Sequence, residues 1–279
     1  MKYILPYHTT STHSDGTINV EYDRYNHAYS IKNIKITDIS HQFLLGLILA
    51  VKSGIYDHCT FYFPYMPFGR QDRIEDLAGG KTIRISTLIS LLKLLKDNKI
   101  KVYTDDPHSD VYYQYGGLAN TQLQCISSYN LKSSYFNKAI TSLDIIVAPD
   151  KGAKEKSEEI ADTLGKDFLC ATKERDPITK KILLSTDFTK EQIEGKVIGI
   201  FDDIMDYGTS VHDLAKQLKE LGAKKVIVYI TNGLCPLNQR ISPPSRFDFV
   251  LSYVDELFFY NLKDGDSITH SNVHYLNSI

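Results

Sequence analysis

Apolar residues in the second half of the chain fall alternately into short continuous runs and into longer stretches with helical spacing. The continuous runs at residues 144–148, 197–201 and 225–230 predict strands that are covered on both faces. The stretches at 154–164 and 211–221 predict helices, and each ends next to a glycine, which is typical of a helix C-terminus. Strands that alternate with helices in this way indicate parallel sheets with right-handed crossovers.

The first half shows the same alternation with shorter elements. Apolar spacing predicts helices at residues 41–53 and 85–95. The other strands predicted along the chain are at 3–6, 17–22, 29–36, 59–65, 101–104, 168–171 and 182–185. Both halves predict an α/β arrangement, and 279 residues are enough for two domains, which we place at 1–135 and 136–279. The pattern is weakest in the last segment, 242–279, which could pack back on the first domain.

Composition and charge exclude several classes of protein. With 32 basic and 34 acidic residues, the chain lacks the basic excess typical of proteins that bind nucleic acids or membrane surfaces. The longest apolar run, at 43–51, is too short to span a membrane, and the N-terminus does not resemble a signal peptide. Cys59, Cys125, Cys170 and Cys235 are isolated, which argues against a zinc site and fits a reducing cytoplasm. We therefore expect a cytoplasmic protein.

The candidate chemistry begins with an acidic pair after the predicted strand at 197–201. Asp202 and Asp203 come at the carboxyl end of a parallel strand, where open α/β sheets bind ligands, and paired carboxylates can accept hydrogen bonds from ribose hydroxyls. The glycine and hydroxyl residues that follow suit a loop whose backbone N–H groups bind a phosphate. Alternatively, Thr209 or Ser210 only caps the next helix.

This segment resembles the phosphoribosyl-pyrophosphate loop of type I phosphoribosyltransferases and of ribose-phosphate pyrophosphokinases. In those families an apolar run is followed by Asp-Asp, two apolar residues and Asp-Thr-Gly-Gly-Thr. Here Tyr207 stands in place of a threonine and Thr209 in place of a glycine. The resemblance implies that ribose 5-phosphate is bound by Asp202, Asp203, Asp206, Tyr207, Gly208, Thr209 and Ser210.

A second segment separates the two families. After the apolar strand at 59–65, the chain reads Tyr-x-x-x-Gly-Arg-Gln-Asp-Arg, and arginine is suited to bidentate contacts with phosphate. An arbitrary loop of this composition would be a solvated, salt-bridged loop. The segment resembles the ATP-binding motif of ribose-phosphate pyrophosphokinases, and near the N-terminus Ser-Asp-Gly-Thr resembles an Asp-Gly-Glu segment that helps bind adenine across a subunit interface. Together they imply ATP contacts from Arg70, Gln71, Asp72, Arg73 and Asp15.

Two further segments resemble metal-binding motifs of the same family. Asp106 and His108 match an Asp-Leu-His motif, whose histidine contacts the ATP phosphates and magnesium, and Asp150 matches the acidic residue of Pro-Asp-x-Gly. The alternatives are a structural histidine and a plain helix N-cap. Magnesium prefers few carboxylates together with substrate phosphates and water. The resemblance therefore implies a Mg²⁺ cofactor with His108, Asp150 and Asp106 as ligands, and His108 would also contact ATP.

Lys173 and Arg175 complete the set. They match a Lys-x-Arg pair that the family carries on a mobile loop over the transferring group, although charge alone would also fit a solvated β-hairpin. The resemblance implies that Lys173, Arg175 and His108 are the catalytic residues. The order and spacing of all these segments are similar to those of the synthetases.

The chain is thus identified as a divergent, short member of the ribose-phosphate pyrophosphokinase family. This implies two tandem type I phosphoribosyltransferase-like domains, each a mostly parallel sheet flanked by helices, in a homo-oligomer built from dimers. It also implies transfer of the diphosphoryl group of ATP to the C1 hydroxyl of ribose 5-phosphate, with no nucleic-acid or membrane partner. A phosphoribosyltransferase and a catalytically silent regulatory paralogue remain open as alternatives.

Overall fold

The chain divides into two units, residues 1–123 and 124–279, in a computed structural model. The structure describes residues 8–12, 18–22, 33–35, 41–54, 60–72, 75–77, 82–84, 86–109, 111–116, 134–175, 182–185, 187–234, 246–262 and 271–276. The predicted boundary between 135 and 136 stays a prediction, because residues 117–133 lie outside this part of the chain. The strand predicted at 3–6 also lies outside the described residues and stays a prediction.

The first unit contains a three-stranded parallel sheet in the order β3-β4-β7. Among the residues of this unit that the structure describes, two antiparallel pairs, β1–β2 and β5–β6, and three helices accompany the sheet. The elements are β1 (His8–Thr12), β2 (Ile18–Tyr22), β3 (Asn33–Lys35), α1 (His41–Lys52), β4 (Thr60–Phe63), β5 (Glu75–Leu77), β6 (Thr82–Arg84), α2 (Thr87–Asp97), β7 (Lys101–Thr104) and α3 (Val111–Gly116).

The core of the first unit lies between its parallel sheet and its helices. Helix α2 buries five of its side chains, and they recur at helical spacing as the sequence predicted. The helix begins later than predicted, at Thr87, because the side chain of Ser86 accepts a hydrogen bond from the Ile89 backbone N–H and caps it. Tyr112 of α3 is buried, and its hydroxyl donates a hydrogen bond to the Val102 carbonyl at 2.9 Å.

The second unit contains a six-stranded sheet in the order β15-β14-β13-β12-β8-β9, and all five pairings are parallel. A separate antiparallel hairpin is formed by β10 and β11. The elements are α4 (Ser134–Thr141), β8 (Ile145–Ala148), α5 (Lys154–Leu164), β9 (Asp167–Cys170), β10 (Thr172–Arg175), β11 (Ile182–Ser185), α6 (Lys190–Ile193), β12 (Val197–Met205), α7 (Thr209–Glu220), β13 (Lys225–Gly233), α8 (Arg246–Leu251), β14 (Glu256–Leu262) and β15 (Val273–Tyr275).

Both faces of the six-stranded sheet are buried, which is why its strands have continuous apolar runs. Ile200 of β12 packs into one core cluster, while its neighbour Phe201 packs into the other, as alternation along a strand requires. Helix α5 has the predicted bounds and ends at Gly165, whose φ of 63° is left-handed. The predicted α/β class, with mostly parallel sheets flanked by helices, is confirmed. Among the described residues, no helix is long and apolar enough to cross a membrane.

Two central strands are longer than predicted. β12 continues past residue 201 to Met205, and β13 continues past 230 to Gly233, because Met205 and Gly233 still pair in parallel register. Polar residues interrupt the apolar pattern at both places, so the sequence indicated ends there. Asp202 and Asp203 consequently lie within a paired strand and not beyond it.

Candidate functional site

The sheet of the second unit changes direction between β8 and β12. From β8 the chain goes outward to the edge strand β9, and later returns through β12 on the other side of β8 towards β13 and β14. Open parallel sheets bind ligands at such a switch point, in the crevice at the carboxyl ends of the strands. Asp150 follows β8, and Asp202 and Asp203 lie in β12, so these predicted site residues flank the switch point.

The acidic pair is partly buried and electrostatically strained. The carboxylate Oδ1 of Asp202 accepts a hydrogen bond from the Asp203 backbone N–H at 2.9 Å. Burial raises the pKa of Asp202 well above its ordinary value, and the Asp203 carboxylate beside it raises this pKa further. Asp150 acts in the same direction, whereas Lys156 of α5 lowers the pKa. A carboxylate with a raised pKa in a crevice is typical of a functional site.

The loop after β12 leads into α7 through Gly208. Its φ of 75° is left-handed, and a Cβ added there would collide with Cγ2 of Val250. Gly208 is the N-cap of α7, and as a glycine it has no side chain to cap the helix. The alternative in which Thr209 or Ser210 is the cap is therefore wrong, because both lie in the first turn. The backbone N–H groups at a helix N-terminus are a common binding site for an anion.

Gly208→Ala is expected to lower the free energy of unfolding by about 2 kcal/mol or more, because left-handed strain of roughly 1–2 kcal/mol adds to the collision with Val250. Urea denaturation measures this change. Gly165→Ala is the matched control, since Gly165 has a φ of 63° but no atom within 4 Å of an added Cβ. Equal losses for the two variants would contradict a specific packing role for Gly208.

In the first unit, two predicted segments leave the sheet at one edge. β4 and β7 are parallel neighbours with Phe63 paired to Thr104, so the residues after both strands meet at the carboxyl edge. The Tyr62 hydroxyl donates a hydrogen bond to Oδ2 of Asp105 at 2.6 Å. Asp106 is buried and has a left-handed φ of 49°, whereas His108 is exposed. Backbone strain at a non-glycine residue is characteristic of binding segments.

The loop of the predicted ATP motif is attached to the start of α2. The Gln71 carbonyl accepts hydrogen bonds from the Ser86 hydroxyl at 2.6 Å and from the Leu88 backbone N–H at 3.4 Å. The side chains of Arg70 and Gln71 are exposed, and Asp72 is buried. The backbone of this loop is thus fixed while two of its polar side chains face solvent.

Comparison with known proteins gives one consistent result. A ribose-phosphate pyrophosphokinase of Pyrococcus abyssi is 30% identical over 186 residues, which are 66% of this chain and 61% of that protein. One of Thermosipho africanus is 28% identical over 232 residues, or 82% of this chain and 67% of that protein. The crystal structure of phosphoribosylpyrophosphate synthetase from Mycobacterium smegmatis has a TM-score of 0.71 and 21% identity, and the match covers 98% of this chain and 86% of that one.

This chain belongs to the ribose-phosphate pyrophosphokinase family. No family model matches it. It spans 61% and 66% of the length of the Pyrococcus abyssi and Pyrococcus furiosus relatives. The likeness to the Mycobacterium smegmatis structure is a likeness of fold, and the predicted fold of two phosphoribosyltransferase-like domains is confirmed with it.

The structure places some of the pyrophosphokinase motif residues at the same sheet edge, while other motif residues lie outside the described part of the chain. Asp150, Asp202 and Asp203 share the carboxyl edge of the six-stranded sheet, while the segments of Arg70 and His108 share the edge of the smaller sheet. Asp15 and Arg73 lie outside the described residues. The individual roles of all these residues stay predictions.

Lys173 and Arg175 lie in strand β10, which pairs with β11 as an antiparallel hairpin. The sequence placed them in a charged segment between strands, so the hairpin geometry was anticipated only as the alternative. The chain enters β10 directly after β9, where the Ala171 backbone N–H donates a hydrogen bond to the Ala148 carbonyl at 2.9 Å. The hairpin therefore starts at the same sheet edge as Asp150.

Asp150, one of the three predicted magnesium ligands, has a carboxylate that the backbone holds in a fixed orientation. Oδ1 of Asp150 accepts hydrogen bonds from the backbone N–H groups of Gly152 at 2.9 Å and Ala153 at 3.2 Å, so this carboxylate is oriented before any ligand binds. The alternative of a plain helix N-cap is wrong, because the N-cap of α5 is Ala153 and the Asp150 carboxylate binds the turn before the helix. Within the described residues, no three His, Cys, Asp or Glu side chains group as a metal centre. An oriented carboxylate suits Mg²⁺, which takes few carboxylates and completes its coordination with phosphates and water. The three-residue magnesium site stays a prediction.

Lys156 lies near the acidic pair and was not selected from the sequence. It lies in the first turn of α5 and is near enough to Asp202 to lower the pKa of that carboxyl. A cation in the first turn opposes the helix dipole, which costs about 0.3–1 kcal/mol at an exposed site. Lys154 in the same turn has the same mismatch, so the sequence carried no signal that selects Lys156.

Proposed function

We propose that this protein transfers the β,γ-diphosphoryl group of ATP to the C1 hydroxyl of ribose 5-phosphate, yielding 5-phosphoribosyl 1-pyrophosphate and AMP. The C1 oxygen bonds to the β-phosphorus, the bond from that phosphorus to the oxygen bridging to the α-phosphate breaks, and the hydroxyl proton passes to solvent. No covalent intermediate with the protein is needed, so catalysis consists of positioning and charge stabilisation. The names of the relatives support this reaction class.

The observation that carries the proposal is the arrangement at the switch point of the second unit. Asp202 and Asp203 offer adjacent carboxylates for the ribose hydroxyls, and the loop from Asp206 leads to the helix N-terminus at Gly208. A sugar phosphate matches this pair of features, because its hydroxyls need acceptors and its phosphate needs N–H donors. Asp206, Tyr207, Gly208, Thr209 and Ser210 would bind the 5-phosphate.

ATP would bind through the first unit. Arg70 and Gln71 project exposed side chains from a backbone that is held by Ser86, so they can contact a ligand without reorganising the loop. Asp72, Arg73 and Asp15 would add contacts to the nucleotide. A fixed loop lowers the entropy lost on binding, which favours tight and oriented contacts with the triphosphate.

Magnesium would be held by Asp106, His108 and Asp150 and, when bound, would neutralise phosphate charge. Positively charged side chains of the protein would neutralise the remaining charge at the reacting groups. Lys173 and Arg175 would stabilise charge on the moving β-phosphoryl and on the departing AMP, as preorganised donors do in phosphoryl transfer. Asp150, oriented by two backbone N–H groups, would keep its place during turnover.

The direct test is to incubate the purified protein with ATP, Mg²⁺ and ribose 5-phosphate and to measure AMP and 5-phosphoribosyl 1-pyrophosphate. Both products should form in equal amounts, and omission of ribose 5-phosphate should abolish AMP release. GTP and CTP in place of ATP test the choice of nucleotide. Absence of AMP with every nucleotide, across several phosphate concentrations, would reject the proposal. Pyrophosphate release from 5-phosphoribosyl 1-pyrophosphate and a nucleobase would instead identify a phosphoribosyltransferase.

A further inference from the structure

The segment after β13 had the weakest pattern in the sequence, and the structure places part of it behind the phosphate loop. Val250 of helix α8 is fully buried, and it belongs to the core cluster that also contains Met205 at the end of β12 and Val211 in the first turn of α7. Its Cγ2 occupies the space that a Cβ at Gly208 would need. The conformation of the loop at Gly208 is therefore fitted to α8.

A second contact joins Phe249, the residue before Val250 in α8, to the start of α7. The ring of Phe249 stacks on the ring of His212, with centroids 3.8 Å apart and planes inclined by 14°. Tyr253 meets the same histidine edge-on at a centroid distance of 5.1 Å. The histidine is held from its own helix as well, since Nδ1 lies 2.9 Å from Oδ1 of Asp213. The three rings thus hold the first turns of α7 against α8.

His212 also contacts the loop directly, so the packing of its ring affects the position of the loop. Its backbone N–H donates a hydrogen bond of 2.9 Å to the carbonyl of Gly208, the residue that precedes the helix. A shift of His212 would therefore move the peptide groups at the helix N-terminus. Phosphate binding by backbone N–H groups depends on the directions of several of them at once, so small rotations reduce affinity.

We infer that Phe249 and Val250 of α8 are positioning residues that set the affinity of the 206–210 loop for the 5-phosphate of ribose 5-phosphate. This inference rests on the proposed function of the loop. Phe249 is 36% exposed, so its ring contributes less to the core than a buried phenylalanine would, yet it stacks on the helix that begins at the loop. Neither residue contacts the substrate itself; both act through His212 and Gly208.

Phe249→Ala is expected to raise KM for ribose 5-phosphate by about five- to tenfold, which corresponds to roughly 1–1.4 kcal/mol and lies within the range for the loss of one stacked aromatic pair. KM for ATP and kcat at saturating substrate should stay within about twofold of wild type, since energies below about 0.5 kcal/mol correspond to such factors. Phe249→Tyr retains the ring and should restore the wild-type KM. Phe249→Leu retains apolar volume without stacking and should resemble the alanine variant.

Tyr275→Ala is the matched control. Tyr275 is 37% exposed, and it lies in β15, three strands away from β12 in the same sheet. This variant should leave both KM values unchanged. Calorimetric titration of each folded variant with ribose 5-phosphate alone gives a second measurement that does not depend on turnover.

The outcomes separate this inference from the proposed function. If wild type neither turns over nor binds ribose 5-phosphate, the proposed function fails. If wild type is active but Phe249→Ala keeps its KM for ribose 5-phosphate, the positioning role is overturned. It is also overturned if Phe249→Ala raises both KM values equally, or if Tyr275→Ala has the same effect. Should Phe249→Ala not fold, the comparison of Phe249→Leu with Phe249→Tyr decides in the same way.

Discussion

Lys173→Ala is expected to lower kcat by about 10²–10³-fold, the loss found when one preorganised charge-stabilising donor is removed from an active site. The proposed role of Lys173 is to neutralise charge that develops only as the diphosphoryl group moves. Affinity for ribose 5-phosphate should therefore stay close to wild type, because that charge is absent from the ground state. Steady-state kinetics gives kcat, and calorimetric titration of ribose 5-phosphate gives the affinity.

Lys190→Ala is the matched control for Lys173→Ala. Lys190 is exposed in α6, before the amino end of β12, where it forms an i,i+4 ion pair with Glu194 at 3.1 Å. Its loss should change stability by about 0.5 kcal/mol at most and leave kcat unchanged. If Lys173→Ala reduced ribose 5-phosphate binding as strongly as turnover, Lys173 would be a binding residue and its assigned role would be wrong.

Asp202→Asn is expected to have opposite effects on activity and stability. The neutral side chain loses charge-assisted hydrogen bonds to the ribose, so kcat/KM for ribose 5-phosphate should fall by about 10–100-fold. The same change removes a charge that burial and Asp203 make unfavourable in the folded protein. The variant should therefore unfold at a higher temperature than wild type at pH 7, a trade-off seen where function requires a strained site.

The pH dependence of this stability difference follows from the raised pKa of Asp202. The unfolded chain loses the proton near pH 3.8, while the folded protein keeps it to higher pH. The stabilising contribution of Asp202 is complete below that value and is lost as pH rises through the folded pKa. The advantage of Asp202→Asn should thus grow from acidic to neutral pH, as measured by thermal unfolding at several pH values.

Asp162→Asn, at an exposed position of α5, provides the control for this series. A surface substitution of this kind should change the free energy of unfolding by about 0.5 kcal/mol or less. An Asp202→Asn variant that is less stable than wild type at pH 7 would mean that the carboxylate stabilises the fold. In that case the acidic pair would be structural and its role in ribose binding would lose support.

Helices and strands could be predicted from the sequence where the pattern that specifies them involves only neighbouring residues. Helix α5 and strand β7 have the predicted bounds because helical periodicity with a terminal glycine, or a short run between polar residues, depends only on neighbouring positions. The ends of β12 and β13 were not predictable in this way. Asp202 and Asn232 break the apolar pattern, but the pairing of Met205 with Gly233 extends both strands through long-range contacts.

The residues of the candidate site also differ in whether a local sequence pattern could identify them. The motif residues could be selected from the sequence because carboxylates, arginines and a glycine-hydroxyl loop recur there in family order. Lys156 and helix α8 could not be selected with equal ease. Lys156 acts on Asp202 from a different element, and α8 reaches the loop only through the contacts of Val250 and Phe249.

The sequence by itself determined which chemical groups this protein has and which elements carry them, because side-chain type and local periodicity are properties of neighbouring residues. The tertiary structure decided the strand order that puts Asp150 beside Asp202, and the burial that raises the pKa of Asp202. It also decided that Gly208 must be a glycine against Val250. These features depend on contacts between residues far apart in the chain, which no local pattern records.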